Sequence, residues 1–189
     1  MPLVLAGAAC AGAASAQSGM SAQLSDSTPA CRASQLKALF RGFQGAGGSR
    51  VGAIVIVNTG ADPCWLTGTP RSVTLLDDNG DTVPAKNRAL ALPADAGPVE
   101  LVPEVQLPAF GQPPARGSAW FLVTWSNWCE DASPTIQSML VVLPAGGSVS
   151  APVDAAASGW GMSGAGAPRC DDARAGSSVT VDRFRPPGE

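Results

Sequence analysis

The residues of this chain best suited to chemistry fall into a few tight groups. Two cysteines are each followed by a pair of acids, Cys129-Glu130-Asp131 and Cys170-Asp171-Asp172. Two tryptophans sit beside a cysteine, Trp65 after Cys64 and Trp128 before Cys129, and Trp125 lies three positions ahead of Trp128. Asp77, Asn79 and Asp81 alternate along one short stretch. Paired carboxylates can act as general acid and nucleophile when held about 5–9 Å apart across a cleft. Adjacent acids in loops more commonly solvate a surface, and that is the reading adopted for Glu130, Asp131, Asp171 and Asp172. The 77–81 spacing looks like the opening of a calcium loop, but Thr82 to Lys86 supply no later bidentate carboxylate. Asn79-Gly80 is instead a preferred pair for a tight hairpin turn. The indoles have two competing uses: a flat face for stacking on a sugar or peptide, or core packing beside a disulfide.

Composition removes most catalytic alternatives. The chain has no His and no Tyr, and its only lysines are Lys37 and Lys86. Ser-His-Asp, Cys-His and His-metal arrangements are therefore excluded by content. No Cys-x-x-Cys pair is present, which argues against a zinc site, and nothing calls for a cofactor. The net charge of −3 gives no basic surface for nucleic acid. Only 14% of residues are charged, and 22 Gly and 17 Pro in 189 residues disfavour long helices. The expected protein is non-catalytic.

The beginning of the chain reads as a targeting segment. Leu3 to Ala9 is apolar, and Ala14-Ser15-Ala16 places small residues before Gln17, which predicts a signal peptide over 1–16 cleaved after Ala16. Lipid attachment at Cys10 competes, with small residues ahead of the thiol but Gly7 where such sites usually carry Leu. No other apolar run reaches the ~18 residues of a membrane helix. Cleavage at Ala16 leaves Cys31, Cys64, Cys129 and Cys170, an even set that suits two disulfides in an oxidising compartment. Residues 17–30 read as a flexible N-terminal segment and 31–186 as one domain.

Within that domain the apolar residues come in short runs. Strands are expected over Gln35 to Phe43, Arg50 to Asn58, Val73 to Leu76, Thr82-Val83, Val99 to Val102, Ser118 to Trp125, Gln137 to Leu143 and Ser178 to Phe184. A short helix competes for the first of these. Residues 84–117 and 153–169 read as long irregular loops, apart from the strand at 99–102. Seven to eight short strands separated by turns predict an all-β, antiparallel, immunoglobulin-like β-sandwich. Val55, Val57, Leu122, Val123, Leu140 and Val142 are the expected core positions. Trp125 is expected to pack in the core. Trp128, with Trp65, is the candidate ligand surface.

Asn58-Thr59-Gly60 followed by Cys64-Trp65-Leu66-Thr67-Gly68-Thr69-Pro70 resembles the signature of a secreted bacterial family, domain of unknown function 4232. The apolar strand before Asn58, Trp125 and Cys129 after a buried strand, Leu143-Pro144 and Cys170 fall where that family would place them. The resemblance covers roughly residues 31–184. It implies an immunoglobulin-like sandwich on secreted or cell-envelope proteins and carries no activity. Four cysteines allow three pairings. Cys31–Cys64 with Cys129–Cys170 is the expected set, since each bond ties a loop or end segment to a buried strand. The expected role is structural or protein-interacting, with a protein or glycan partner at the cell envelope. The alternative is a carbohydrate- or peptide-binding module using Trp128 and Trp65.

Overall fold

The computed structural model describes residues 28–91, 97–104, 117–154 and 166–189. The expected signal peptide, Cys10 and residues 17–27 lie outside the described residues. Eleven strands and one short 3-10 turn (Ala33–Gln35) are present among the described residues. β1 (Leu36–Ala46), β2 (Ser49–Asn58), β8 (Ser118–Ser126), β11 (Ser178–Val181) and β6 (Lys86–Ala89) form one sheet in the order β1-β2-β8-β11-β6. β10 (Ser148–Pro152), β9 (Ser138–Val142), β4 (Ser72–Leu76) and β5 (Thr82–Val83) form a second, and β3 (Cys64–Leu66) pairs with β7 (Val99–Leu101).

The expected sandwich is therefore present, with two corrections. The count is higher than seven to eight because β3, β6 and β10 are short: β3 has three residues, β6 is exposed throughout, and β10 offers the core only Val149 and Ala151 between exposed neighbours. Between the named strands, pairing is antiparallel except for β6 beside β11, which run parallel, and three isolated bridges, Ala30 to Trp65, Phe40 to Val153 and Asn58 to Pro103, are parallel too. Neither disulfide joins the two large sheets.

β1 and β2 form a hairpin closed by Gly47 and Gly48, whose positive φ values of 56° and 99° suit a two-residue turn between Ala46 and Ser49. Leu36, Ala38 and Phe40 turn inward, and the register then slips by one residue between Phe40 and Phe43. This bulge returns Phe43 to the core side, where its ring meets Phe40 edge-on at 4.8 Å and Trp125 at 5.8 Å. Gly52 lies across from the bulge. A Cβ there would sit 2.4 Å from the Gly42 carbonyl oxygen and 2.5 Å from the Phe40 ring, so only glycine admits the close approach.

The core is one cluster shared by both large sheets, with Ile54, Ile56, Phe121, Val123, Trp125, Met139, Val141 and Leu143 among its buried members. Three expected core positions are displaced. Leu122, Leu140 and Val142 are only half-buried, because the neighbours Phe121, Met139 and Val141 take the inward face. Val55 and Val57 are buried, but they alternate with the inward Ile54 and Ile56 and stand outside the central cluster. A continuous apolar run does not reveal its own phase, and one residue of slip exchanges the two faces.

The sandwich closes where β1 meets the end of β10. The Asp154 N–H donates to the Phe40 carbonyl at 2.7 Å, and Arg41 pairs with Asp154 with both side chains largely covered. No helix among the described residues is long and apolar enough to cross a membrane.

Candidate functional site: the cleft beside Cys129–Cys170

β8 delivers Trp125 into the core, fully buried, with its indole N–H donating to Ser177 Oγ at 2.9 Å. The chain leaves the strand through Asn127, whose φ of +60° is the left-handed region that Asn tolerates better than most residues. This reversal folds Trp128 back against Trp125, edge to face at 5.6 Å. Trp128 is half-buried, and its indole N–H donates to the Ala132 carbonyl at 2.9 Å. The pair Trp125 and Trp128 thus splits: one is core, and the other is a lid on the core with an edge left toward solvent.

Asn127 does more than turn the chain. Its Oδ1 accepts from the backbone N–H of Asp171 and of Asp172, each at 2.8 Å. Its Nδ2 donates to the carbonyls of Asp172 at 2.7 Å and Gly176 at 2.9 Å. All four capacities of the amide are used on one loop. The Cys129–Cys170 disulfide closes the same loop, with a Cα–Cα distance of 4.7 Å. From the other side the β1–β2 hairpin holds the chain just before it. The Arg169 N–H donates to the Gly48 carbonyl at 2.8 Å, and Arg50 Nε donates to the Gly166 carbonyl at 2.6 Å.

Between these loops lies an open cleft of about 500 Å³. Pro84, Ala85, Ala173 and Trp128 give it apolar walls, and Lys86 and Glu130 bring one charge of each sign to its lining. Ser177 also lines it, but its hydroxyl accepts from the Trp125 indole and donates to the Ser126 carbonyl. Thr82 completes the polar part of the lining, so the cleft combines apolar walls with a few separated polar groups.

Trp65 lies elsewhere. Its backbone N–H donates to the Pro29 carbonyl and its indole N–H to the Thr28 carbonyl, so it fastens the incoming N-terminal segment. Residues 28–30, the end of the segment expected to be flexible, are thereby tied to β3. A separate small cavity of about 190 Å³, lined by Trp65, Cys31 and Pro144 among others, shares no residue with the Trp128 cleft. The β2–β8 register explains the separation. Trp125 pairs with Arg50 at one end of β2, whereas the Asn58 end leads to Cys64 and Trp65. Eight strand residues span about 25 Å. The two indoles do not form one platform.

At the Trp65 end Asn58 plays the part that Asn127 plays at the other. It is 0% exposed, and its Nδ2 donates to the carbonyls of Asp62 at 2.8 Å and Leu101 at 3.0 Å. Its Oδ1 accepts from the Gly60 N–H at 2.9 Å and from Gln35 Nε2 at 3.3 Å. A Cβ on Gly60 would lie 3.0 Å from that Oδ1, so the Asn-Thr-Gly sequence has a packing reason. The Cys31–Cys64 disulfide lies nearby, buried, with a Cα–Cα distance of 4.8 Å. Both expected disulfide pairings are present.

Asp77, Asp171 and Asp172 are engaged by near neighbours in the chain. Asp77 Oδ1 accepts from the N–H groups of Asn79 at 2.9 Å and Asp81 at 2.8 Å, which makes the 77–81 stretch a hairpin turn. Asp172 Oδ1 accepts from the Arg174 N–H, and Asp171 pairs with Arg169. No group of three potential metal ligands occurs among the described residues. Asn127, Lys86 and the junction role of Asn58 carry little mark in the sequence. The one signal available is an Asn beside each cysteine-bearing loop, and nearly all its partners are backbone groups that no side-chain pattern records.

No curated protein and no solved structure matches the chain. A family model does match, over residues 31–181, and that stretch takes in both disulfides, Asn58 and Asn127 with the loops they hold, and all eleven strands. The chain belongs to the family described as domain of unknown function (DUF4232).

Proposed function

We propose that this protein is a non-catalytic secreted or cell-envelope module that engages a partner through the cleft beside Cys129–Cys170. The observation that carries this reading is the lining of that cleft. A half-buried indole, Pro84 and Ala85 stand beside Lys86 and Glu130, and among the described residues neither charge has an ion-pair partner. Apolar walls with a few separated polar groups are the usual makeup of a site that orients a ligand. An extended peptide segment with an apolar side chain between residues of opposite charge matches this lining. Two disulfides suit an oxidising compartment, and the Leu3–Ala16 stretch supports export.

Binding of the mature chain to peptide and glycan arrays tests the reading. Lys86→Ala should weaken peptide capture several-fold without moving the melting temperature, because Lys86 is exposed. Glycan capture that depends on Trp128 and ignores Lys86 would replace the peptide reading with sugar stacking. Binding indifferent to both residues would remove the cleft from the function.

A further inference from the structure

The two disulfides sit in different surroundings. Cys31 and Cys64 are 1% and 0% exposed and belong to the core cluster. Cys170 is exposed, and Cys129 is half-exposed where it lines the cleft. Thiol–disulfide exchange needs an attacking thiolate to reach a sulfur, so access separates an exchangeable bond from a resistant one. We propose that Cys129–Cys170 is a reversible thiol-exchange site, opened by a dithiol reductant while Cys31–Cys64 stays closed and the sandwich remains folded.

In the first step a reductant thiolate bonds to Cys170 Sγ as the bond to Cys129 breaks. The electron pair leaves on Cys129 Sγ, which takes a proton from water. The second thiol of the reductant, as thiolate, then displaces Cys170 from the mixed disulfide, and Cys170 is protonated in turn. The reductant departs as a disulfide, having supplied two electrons, and the protein holds two thiols.

The fold outlasts the bond because the loop has other attachments. Asn127 keeps its four hydrogen bonds to residues 171–176. The Arg169 N–H remains on the Gly48 carbonyl, and the Ala167 N–H remains on Ser133 Oγ at 2.7 Å. These contacts hold the two sulfurs near each other, so the reverse exchange with the oxidised, disulfide form of the dithiol, which takes up the two electrons, restores the same pair. The loop between Cys170 and β11 also carries Ala173 and Gly176, one wall of the cleft. Reduction therefore places two thiols at the edge of that wall while Asn127 keeps the wall itself in position. The assignment rests on access to sulfur and is independent of what the cleft binds.

The test treats the native protein with dithiothreitol, without denaturant, and follows alkylation of each cysteine by peptide mass mapping. Cys129 and Cys170 should label more than about tenfold faster than Cys31 and Cys64, since a buried bond must await an opening of the structure. The far-UV circular dichroism spectrum should hold through the fast phase. Equal labelling rates, faster labelling at Cys31 and Cys64, or loss of the spectrum as the pair opens would overturn the proposal. A double variant, Cys129→Ser with Cys170→Ser, should fold and lose the fast phase. If that variant is unfolded, the fold does not outlast the bond and the proposal fails.

Discussion

Replacing Asn58 by Ala deletes an amide that is fully buried and makes four hydrogen bonds at the junction of β2, β7 and the 3-10 turn. Water can replace it for two partners, since Asp62 is exposed and Gln35 is half-exposed. The other two are harder to rescue. Leu101 is 0% exposed, so its carbonyl loses its amide donor in the interior, and the Gly60 N–H loses its acceptor beneath Gln35. Each stranded buried group costs about 1–3 kcal/mol, which puts the variant at roughly 2–5 kcal/mol less stable. For a domain of this size that is a fall of about 5–15 °C in the melting temperature. Urea unfolding followed by intrinsic fluorescence measures the loss directly, provided the slope with denaturant is unchanged. Asn58→Asp serves as the partner variant. It keeps the acceptor for Gly60 but turns two donors into lone pairs facing carbonyls, so it should rescue nothing. A loss under about 0.5 kcal/mol for Asn58→Ala would refute the view that this amide organises the junction.

Met139→Ala should cost about 2–5 kcal/mol and Leu140→Ala markedly less, because only the former faces the shared core. Chemical denaturation of the two variants side by side checks the phase of β9. Gly52→Ala should abolish folding or shift the β1–β2 hairpin, as its Cβ meets backbone that cannot give way; amide chemical shifts of the hairpin report either outcome. Opening Cys31–Cys64 by Cys31→Ser with Cys64→Ser releases a loop with a sequence separation of 33. Loop entropy alone makes that about 4 kcal/mol. Calorimetry should show a drop at least that large, since two hydroxyls also enter a buried site.

The division between the two ends of the sandwich gives the indoles distinct work. Trp65 fastens the entering chain through Thr28 and Pro29, and Trp128 covers Trp125 while bordering a cleft. Each end is held by a disulfide together with an Asn whose amide makes four hydrogen bonds, all to backbone for Asn127 and three of four to backbone for Asn58. A bond and an amide on one loop constrain it in different ways. The disulfide limits the unfolded chain, whereas the amide fixes the folded path. That pairing is why loss of the exposed disulfide is expected to leave the architecture standing.

Much of the fold was legible because its signals are local. Short β-branched and apolar runs with turn residues between them gave most of the strands, and Asn79-Gly80 gave a hairpin. The strands β3, β6 and β10 are too brief to stand out; Lys86 to Ala89 is exposed along its whole length and exists through pairing with β11, and β10 alternates over only Val149 and Ala151. Leu122, Leu140 and Val142 face away from the core although a continuous apolar run looks the same in either phase.

Composition by itself determined that no histidine chemistry operates here, since an absent side chain stays absent in any fold. The even set of cysteines after Ala16 and the all-β class were likewise present in residue types and short-range order. Tertiary structure alone decided which residues face the core, that Trp65 and Trp128 lie at opposite ends, and that Asn58 and Asn127 are junctions. Those facts depend on strand pairing and on hydrogen bonds to backbone carbonyls and amides. Every residue carries such groups, so the sequence does not mark which of them an asparagine will meet.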